Sequence, residues 1–147
     1  MSQHGTDQIL QVGYLRSCMD RRFVEATRHK FEEVTGLTDD RYYHEAFAGG
    51  ALNPTPVPPP NPNPDGADYV YNNPEIHLEV MGWQAHLNHC GGLPGVPDPE
   101  IRIRFQALAD SRTLQDKYPR VRHVFLLASE DSNHKPQVEI IEPKGAK

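Results

Sequence analysis

Ile9–Arg22 reads ILQVGYLRSCMDRR, an apolar run that breaks into a cysteine, an acid and two arginines. Ile9, Leu10, Val12, Tyr14 and Leu15 predict a first strand over about Ile9 to Ser17. Residues two apart on an extended chain point the same way, so Cys18, Asp20 and Arg22 are expected to project together where the strand ends. A thiolate, a carboxylate and a guanidinium form a usable chemical set. The first is a metal ligand, the second an acceptor, and the third a fork that fixes the acceptor. The chain has one other cysteine, Cys90, in His86–Gly92, HLNHCGG. These two stretches are read as halves of one site.

The chain downstream alternates helical and extended patterns. Phe23 to Thr35 carries Phe23, Ala26, Thr27, Phe31 and Val34 at helical spacing, with Gly36 placed as a left-handed cap. A second strand is expected over Tyr42 to Phe47, running into Ala48-Gly49-Gly50, where glycine permits close backbone approach. Asn73-Pro74-Glu75 has the form of a helix start, and a helix is expected from there toward Gln84, although Ile76, Leu78 and Val80 also alternate as a strand would. Ala85 to Asn88 is read as a short strand that carries His86 and His89 into Cys90. Asp98-Pro99-Glu100 repeats the helix-start pattern, for a helix ending near Lys117. Val121 to Ala128 and Gln137 to Glu142 are the last expected strands. The alternation predicts a single α/β domain over 1–147, with a mainly parallel sheet of about four strands flanked by helices.

Asn53 to Pro64 holds seven prolines in twelve residues and excludes helix or central strand. It reads as a proline-rich surface loop at about 53–66, and less readily as the ligand of a proline-binding adaptor partner. The 147 residues carry a net charge of −5 with no basic block, which argues against nucleic acid. No apolar run has the length of a membrane span, and MSQHGTDQ lacks a signal-peptide core, so a cytoplasmic setting is expected. In a reducing compartment two cysteines are metal ligands, catalytic groups or plain buried thiols rather than a disulfide.

Zinc takes thiolate and imidazole in tetrahedral geometry, and three protein ligands leave a fourth position for water. Cys18, one histidine and Cys90 supply that set, with Asp20, held by Arg22, as the acceptor. The candidates for that histidine are His86, in H-x3-C, which is preferred, and His89, directly beside Cys90. The competing reading is two buried thiols with an ordinary ion pair at a strand end. Cys18 as a metal-free nucleophile is disfavoured by the neighbouring carboxylate. A phosphatase loop places an arginine six residues after its cysteine; Val96 stands there and excludes it. His44, His77 and His123 read as surface or core histidines.

Cys18-Met19-Asp20-Arg21-Arg22 resembles the C-x-D-x-R motif of β-class carbonic anhydrases, and CMDRRF is similar to the opening of the short carbonic-anhydrase-like proteins. Ala48-Gly49-Gly50 and the later histidine–cysteine–glycine cluster follow in that family's order, from about Val12 to Ala128. The resemblance implies a parallel four-stranded core, a homodimer or higher homo-oligomer, and Zn2+ on Cys18, a histidine and Cys90. It also implies Asp20 and Arg22 as a catalytic dyad, and attack of zinc-bound hydroxide on the small-molecule substrate carbon dioxide: a carbonate-dehydratase-type lyase. Carbonyl sulfide and carbon disulfide are open to the same chemistry. The family's second ligand pair is H-x-x-C, and Leu87 stands at its histidine position. That change of spacing motivates the other class of reading, a metal- or ligand-binding protein on the same fold without turnover.

Overall fold

The computed structural model describes residues 12–52 and 66–144. The expected proline-rich loop and residues Ile9 to Gln11 lie outside them. Strand β1 is Val12–Cys18, β2 Tyr42–Phe47, β3 Leu78–His86, β4 Arg122–Glu130 and β5 Pro136–Ile141. They form one sheet in the order β2-β1-β3-β4-β5, with β1 to β4 mutually parallel and β5 antiparallel to β4. Gly13 to Cys18 of β1 and Val80 to His86 of β3 are buried without a break. Both strands are covered on both faces, and their mostly apolar runs also bury Arg16, Ser17, Gln84 and His86.

Helix α1 (Arg21–Thr35) covers one face with Phe23, Thr27 and Phe31, four residues apart, and packs on β4 and β5. It ends as expected at Gly36, φ 78°, whose N–H reaches the Glu32 carbonyl. Phe31 joins Leu15, Val80, Val124 and Leu126 in the core on that side. Helices α2 (Gly66–Asn72), α3 (Asp98–Asp110) and α4 (Thr113–Lys117) follow in the chain. Ile101, Phe105 and Ala109 of α3 pack with Tyr14, Trp83, Phe125 and Leu127 in the opposite core, which also holds Cys18 and Cys90.

Four expectations are corrected. Asn73-Pro74-Glu75 does not start a helix: Asn73 Oδ1 accepts the Glu75 N–H in a turn, and α2 lies before it. The residues that follow are β3, because the sheet needs a strand between β1 and β4 and the stretch is apolar on both faces. The separate strand at Ala85 to Asn88 is the end of β3, which stops at His86 and leaves His89 outside. The long helix to Lys117 divides at Arg112, φ 62°, where Ser111 Oγ binds the Leu108 carbonyl and receives the Thr113 N–H. The sheet is mainly parallel, as expected, but has five strands in place of about four, the last antiparallel. Five residues separate β4 from β5, enough for a hairpin and too few for a parallel crossover. Among the described residues no helix is long and apolar enough to cross a membrane.

Candidate metal centre

The C-terminal ends of β1 and β3 lie side by side, and there the two halves of the sequence signal meet. Cys18 is the last residue of β1 and His86 the last of β3. The Cys18 amide is tied across to β3 by Gln84 Oε1 (2.8 Å), whose Nε2 donates to Thr27 Oγ1 on α1 (3.0 Å). After His86 the Leu87 N–H still binds the Ala128 carbonyl, and then the chain turns sharply. Asn88 and His89 both take left-handed backbone, φ 62° and 68°. Each such non-glycine residue costs about 1 kcal/mol or more and persists where its surroundings fix it. The turn brings Cys90 back under Cys18, with the sulfurs 3.8 Å apart.

Two glycines let the loops close. A side chain on Gly50 (φ 56°) would strike the Gln84 carbonyl and the Cys18 amide, and one on Gly92 would strike the backbone of Ala48 and Gly49. The close approach expected of the Ala48-Gly49-Gly50 loop is therefore present, and Cys90-Gly91-Gly92 is its counterpart.

Among the described residues, Cys18, His86 and Cys90 form a buried group whose possible ligand atoms all lie within 4.8 Å of one another. His89 is exposed and stands outside it. His86 Nδ1 donates to the Leu87 carbonyl at 2.6 Å, so in the neutral ring Nε2 carries the lone pair. That Nε2 is buried, makes no hydrogen bond, and has Asp20 Oδ2 at 3.6 Å. Metal-bound histidines commonly donate their second ring N–H to a carbonyl, as His86 does. Two thiolates on one tetrahedral zinc, each bond about 2.3 Å, stand about 3.8 Å apart. The thiols are free, and their separation matches that figure, not the roughly 2 Å of a disulfide. The residues fit a metal ion with soft and imidazole preferences.

The protonation pattern follows from the same contacts. The hydrogen bond with Cys90 pulls the Cys18 thiol well below its ordinary pKa, against burial, with His86 and the Asp20 and Gly49 amides helping. Cys90 is raised by the same shared bond and by burial. Burial alone would lower His86, but Cys18, the Leu87 carbonyl and Asp20 outweigh it and raise its pKa.

No family model, curated protein or solved structure matches this chain. The site therefore stands on its own chemistry.

Asp20 and Arg22 are adjacent to the three ligand candidates but arrive there differently from the expectation. They do not continue the strand alternation, because β1 ends at Cys18 and α1 begins at Arg21. Asp20 is the N-cap of α1, and Oδ1 accepts the Arg22 N–H at 2.9 Å. Arg22 Nε reaches Oδ1 (3.1 Å) and Nη2 reaches Oδ2 (2.8 Å), a two-point fork. The arginine hydrogen bond holds the Asp20 carboxyl below its usual range. Arg22 Nη2 also donates to the carbonyls of Asn88 (2.7 Å) and His89 (3.2 Å). Gln84, Asn88, Asp98 and Glu130 were not singled out from sequence. Their roles run through backbone groups of distant segments, and no local pattern announces that.

Proposed function

We propose that the protein is a zinc-dependent enzyme that hydrates carbon dioxide, or a close analogue such as carbonyl sulfide or carbon disulfide, in the manner of β-class carbonic anhydrases. The observation that carries the reading is the buried group of Cys18, His86 and Cys90, in which the thiols stand 3.8 Å apart and His86 Nε2 makes no hydrogen bond. The C-x-D-x-R resemblance supports the choice of reaction.

In this reading Cys18, His86 and Cys90 hold the ion, and His86 is preferred to His89 because Nε2 shares the buried group. When bound, zinc supplies Lewis acidity that brings ionisation of water toward pH 7. Asp20 acts next to it as an acceptor that stays ionised, since Arg22 stabilises the carboxylate. With Oδ1 taken by the Arg22 N–H and Nε, and Oδ2 by Nη2 alone, the spare lone pairs of Oδ2 remain for a hydrogen of the attacking water. That aims the water's lone pair at the carbon of the substrate. The balance is one carbon dioxide and one water to one bicarbonate and one proton. A homodimer or higher homo-oligomer belongs to the same reading.

A second reading, metal binding without turnover, is favoured by the burial of all three ligand candidates, each at most 5% exposed, and by the three residues between His86 and Cys90. Metal content and stopped-flow hydration separate the two. Close to one zinc per chain in the wild type and almost none in Cys18→Ser is expected, with hydration in the loaded wild type. A fully zinc-loaded protein that hydrates neither carbon dioxide nor the sulfur analogues would leave the second reading. No zinc in the wild type would sink both.

A further inference from the structure

Three residues, not two, separate His86 from Cys90, and the chain absorbs the extra one in the two left-handed residues Asn88 and His89. What holds that turn is unusual in its completeness. The Asn88 N–H donates to Asp98 Oδ1 at the start of α3 (2.8 Å). Asn88 Oδ1 accepts the Glu130 N–H at the end of β4 (2.8 Å). The Asn88 carbonyl accepts from Arg22 Nη2 (2.7 Å), and the same nitrogen holds Asp20 Oδ2. Glu130 Oε1 lies 3.7 Å from Arg22 Nη1. Every polar group of Asn88 except its side-chain nitrogen is thus tied to a different element: α3, β4 and α1. Asparagine is also among the few residues other than glycine that tolerate this backbone region.

We propose that Asn88 is a positioning residue of the metal centre: it presents Cys90 to the ion and, through its carbonyl, sets the Arg22 fork that orients Asp20. The proposal rests on the reading of Cys18, His86 and Cys90 as metal ligands. One residue then registers both halves of the site, the ligand loop and the acceptor carboxylate. Asp98 and the Glu130 amide act through Asn88 and not on the ion.

Cobalt(II) titration of the full-length chain tests this, because thiolate-to-cobalt absorption reports ligand geometry independently of any activity. Partners of this kind typically change metal affinity 10- to 100-fold when removed. Asn88→Ala, which loses the Glu130 clasp and the tolerance for left-handed backbone, is expected to bind at least tenfold more weakly with a shifted absorption band. Asn88→Gly keeps the backbone freedom and is expected to recover part of that affinity. Asp98→Asn keeps an acceptor for the Asn88 N–H and should bind within about threefold of wild type, while Asp98→Ala should not. Arg22→Ala should weaken cobalt binding in the wild-type background and add little on Asn88→Ala, since the two share one clamp. If Asn88→Gly and Asp98→Ala both bind cobalt within twofold of wild type with its spectrum, Asn88 positions nothing. A wild type that binds no cobalt overturns the metal-centre reading itself, which the wild-type titration reports separately.

Discussion

His86 and His123 are shielded histidines on neighbouring strands, near opposite ends of the sheet, and their nitrogens are used in opposite ways. His123, near the start of β4, accepts the Trp83 indole N–H at Nδ1 (3.0 Å) and gives its Nε2 hydrogen to the Tyr118 carbonyl (2.9 Å). Both nitrogens are satisfied, the ring lies nearly coplanar with Trp83 (11°), and burial holds its pKa down, with Arg112 helping and the Tyr118 bond opposing. His86, at the end of β3, satisfies one nitrogen and leaves the other facing two thiols and a carboxylate. A ring that neighbouring groups complete is architecture. A ring with one nitrogen turned toward two thiols and a carboxylate has a nitrogen that could hold a metal ion, and that difference separates a candidate site from a core.

The sharpest way to break the comparison is to remove each ring. His86→Ala takes one of three ligands and is expected to lower zinc affinity by about a hundredfold or more, read by competition with a chromophoric chelator. His123→Phe keeps an aromatic ring there and should leave zinc content unchanged. It strands the Trp83 N–H and should cost about 1–3 kcal/mol of stability in urea unfolding. Equal metal loss in both variants would erase the distinction drawn here.

Asp20→Asn asks a finer question on the His86 side. Asparagine caps helices as well as aspartate, so α1 should keep its start and zinc should stay near one per chain. Turnover should fall about a hundredfold or more, the usual scale for losing a positioned proton acceptor. Undiminished hydration by a loaded Asp20→Asn protein would remove Asp20 from the chemistry and return it to capping alone.

Much of the contrast was readable in the sequence, and the part that was not has a physical reason. Cys18, Asp20, Arg22 and Cys90 stand in local patterns, and β2, the first helix and its Gly36 cap follow from periodicity and one glycine. The choice of His86 over His89 depended on a bend at Asn88–His89 that no propensity dictates, since it is enforced by Asp98, Glu130 and Arg22 from three other elements. Leu78 to Gln84 misled in another way. A central parallel strand is apolar on both faces, and behind Asn-Pro-Glu such a run also fits a helix. The helix Gly66–Asn72 was not anticipated, and Arg112 divided the last helix without a glycine to mark it.

The smallest effect concerns the satisfied histidine and is the most exacting test of that assignment. His123 binds its proton more weakly in the folded protein than in the unfolded chain, where its pKa is about 6.5. Above that pH neither state is protonated and the group contributes no pH dependence. Below it the unfolded chain takes up more proton, so stability falls as pH drops, by at most ~1.4 kcal/mol per unit for one proton. His44, whose Nε2 pairs with Ser17 Oγ, is lowered too, by burial and Arg28, and adds a slope of the same sign. The informative quantity is therefore the difference in unfolding free energy between wild type and His123→Phe from pH 8 to pH 5, both in the same metal state. That difference cancels His44 and the metal centre. It should stay level above about pH 6.5 and shrink below it, because protonation breaks the Trp83 bond in the wild type while the variant has no such bond to lose. A difference that stays constant down to pH 5 would mean that His123 titrates alike in both states. Burial would then not hold the ring neutral, and the contrast with His86 would rest on metal affinity alone.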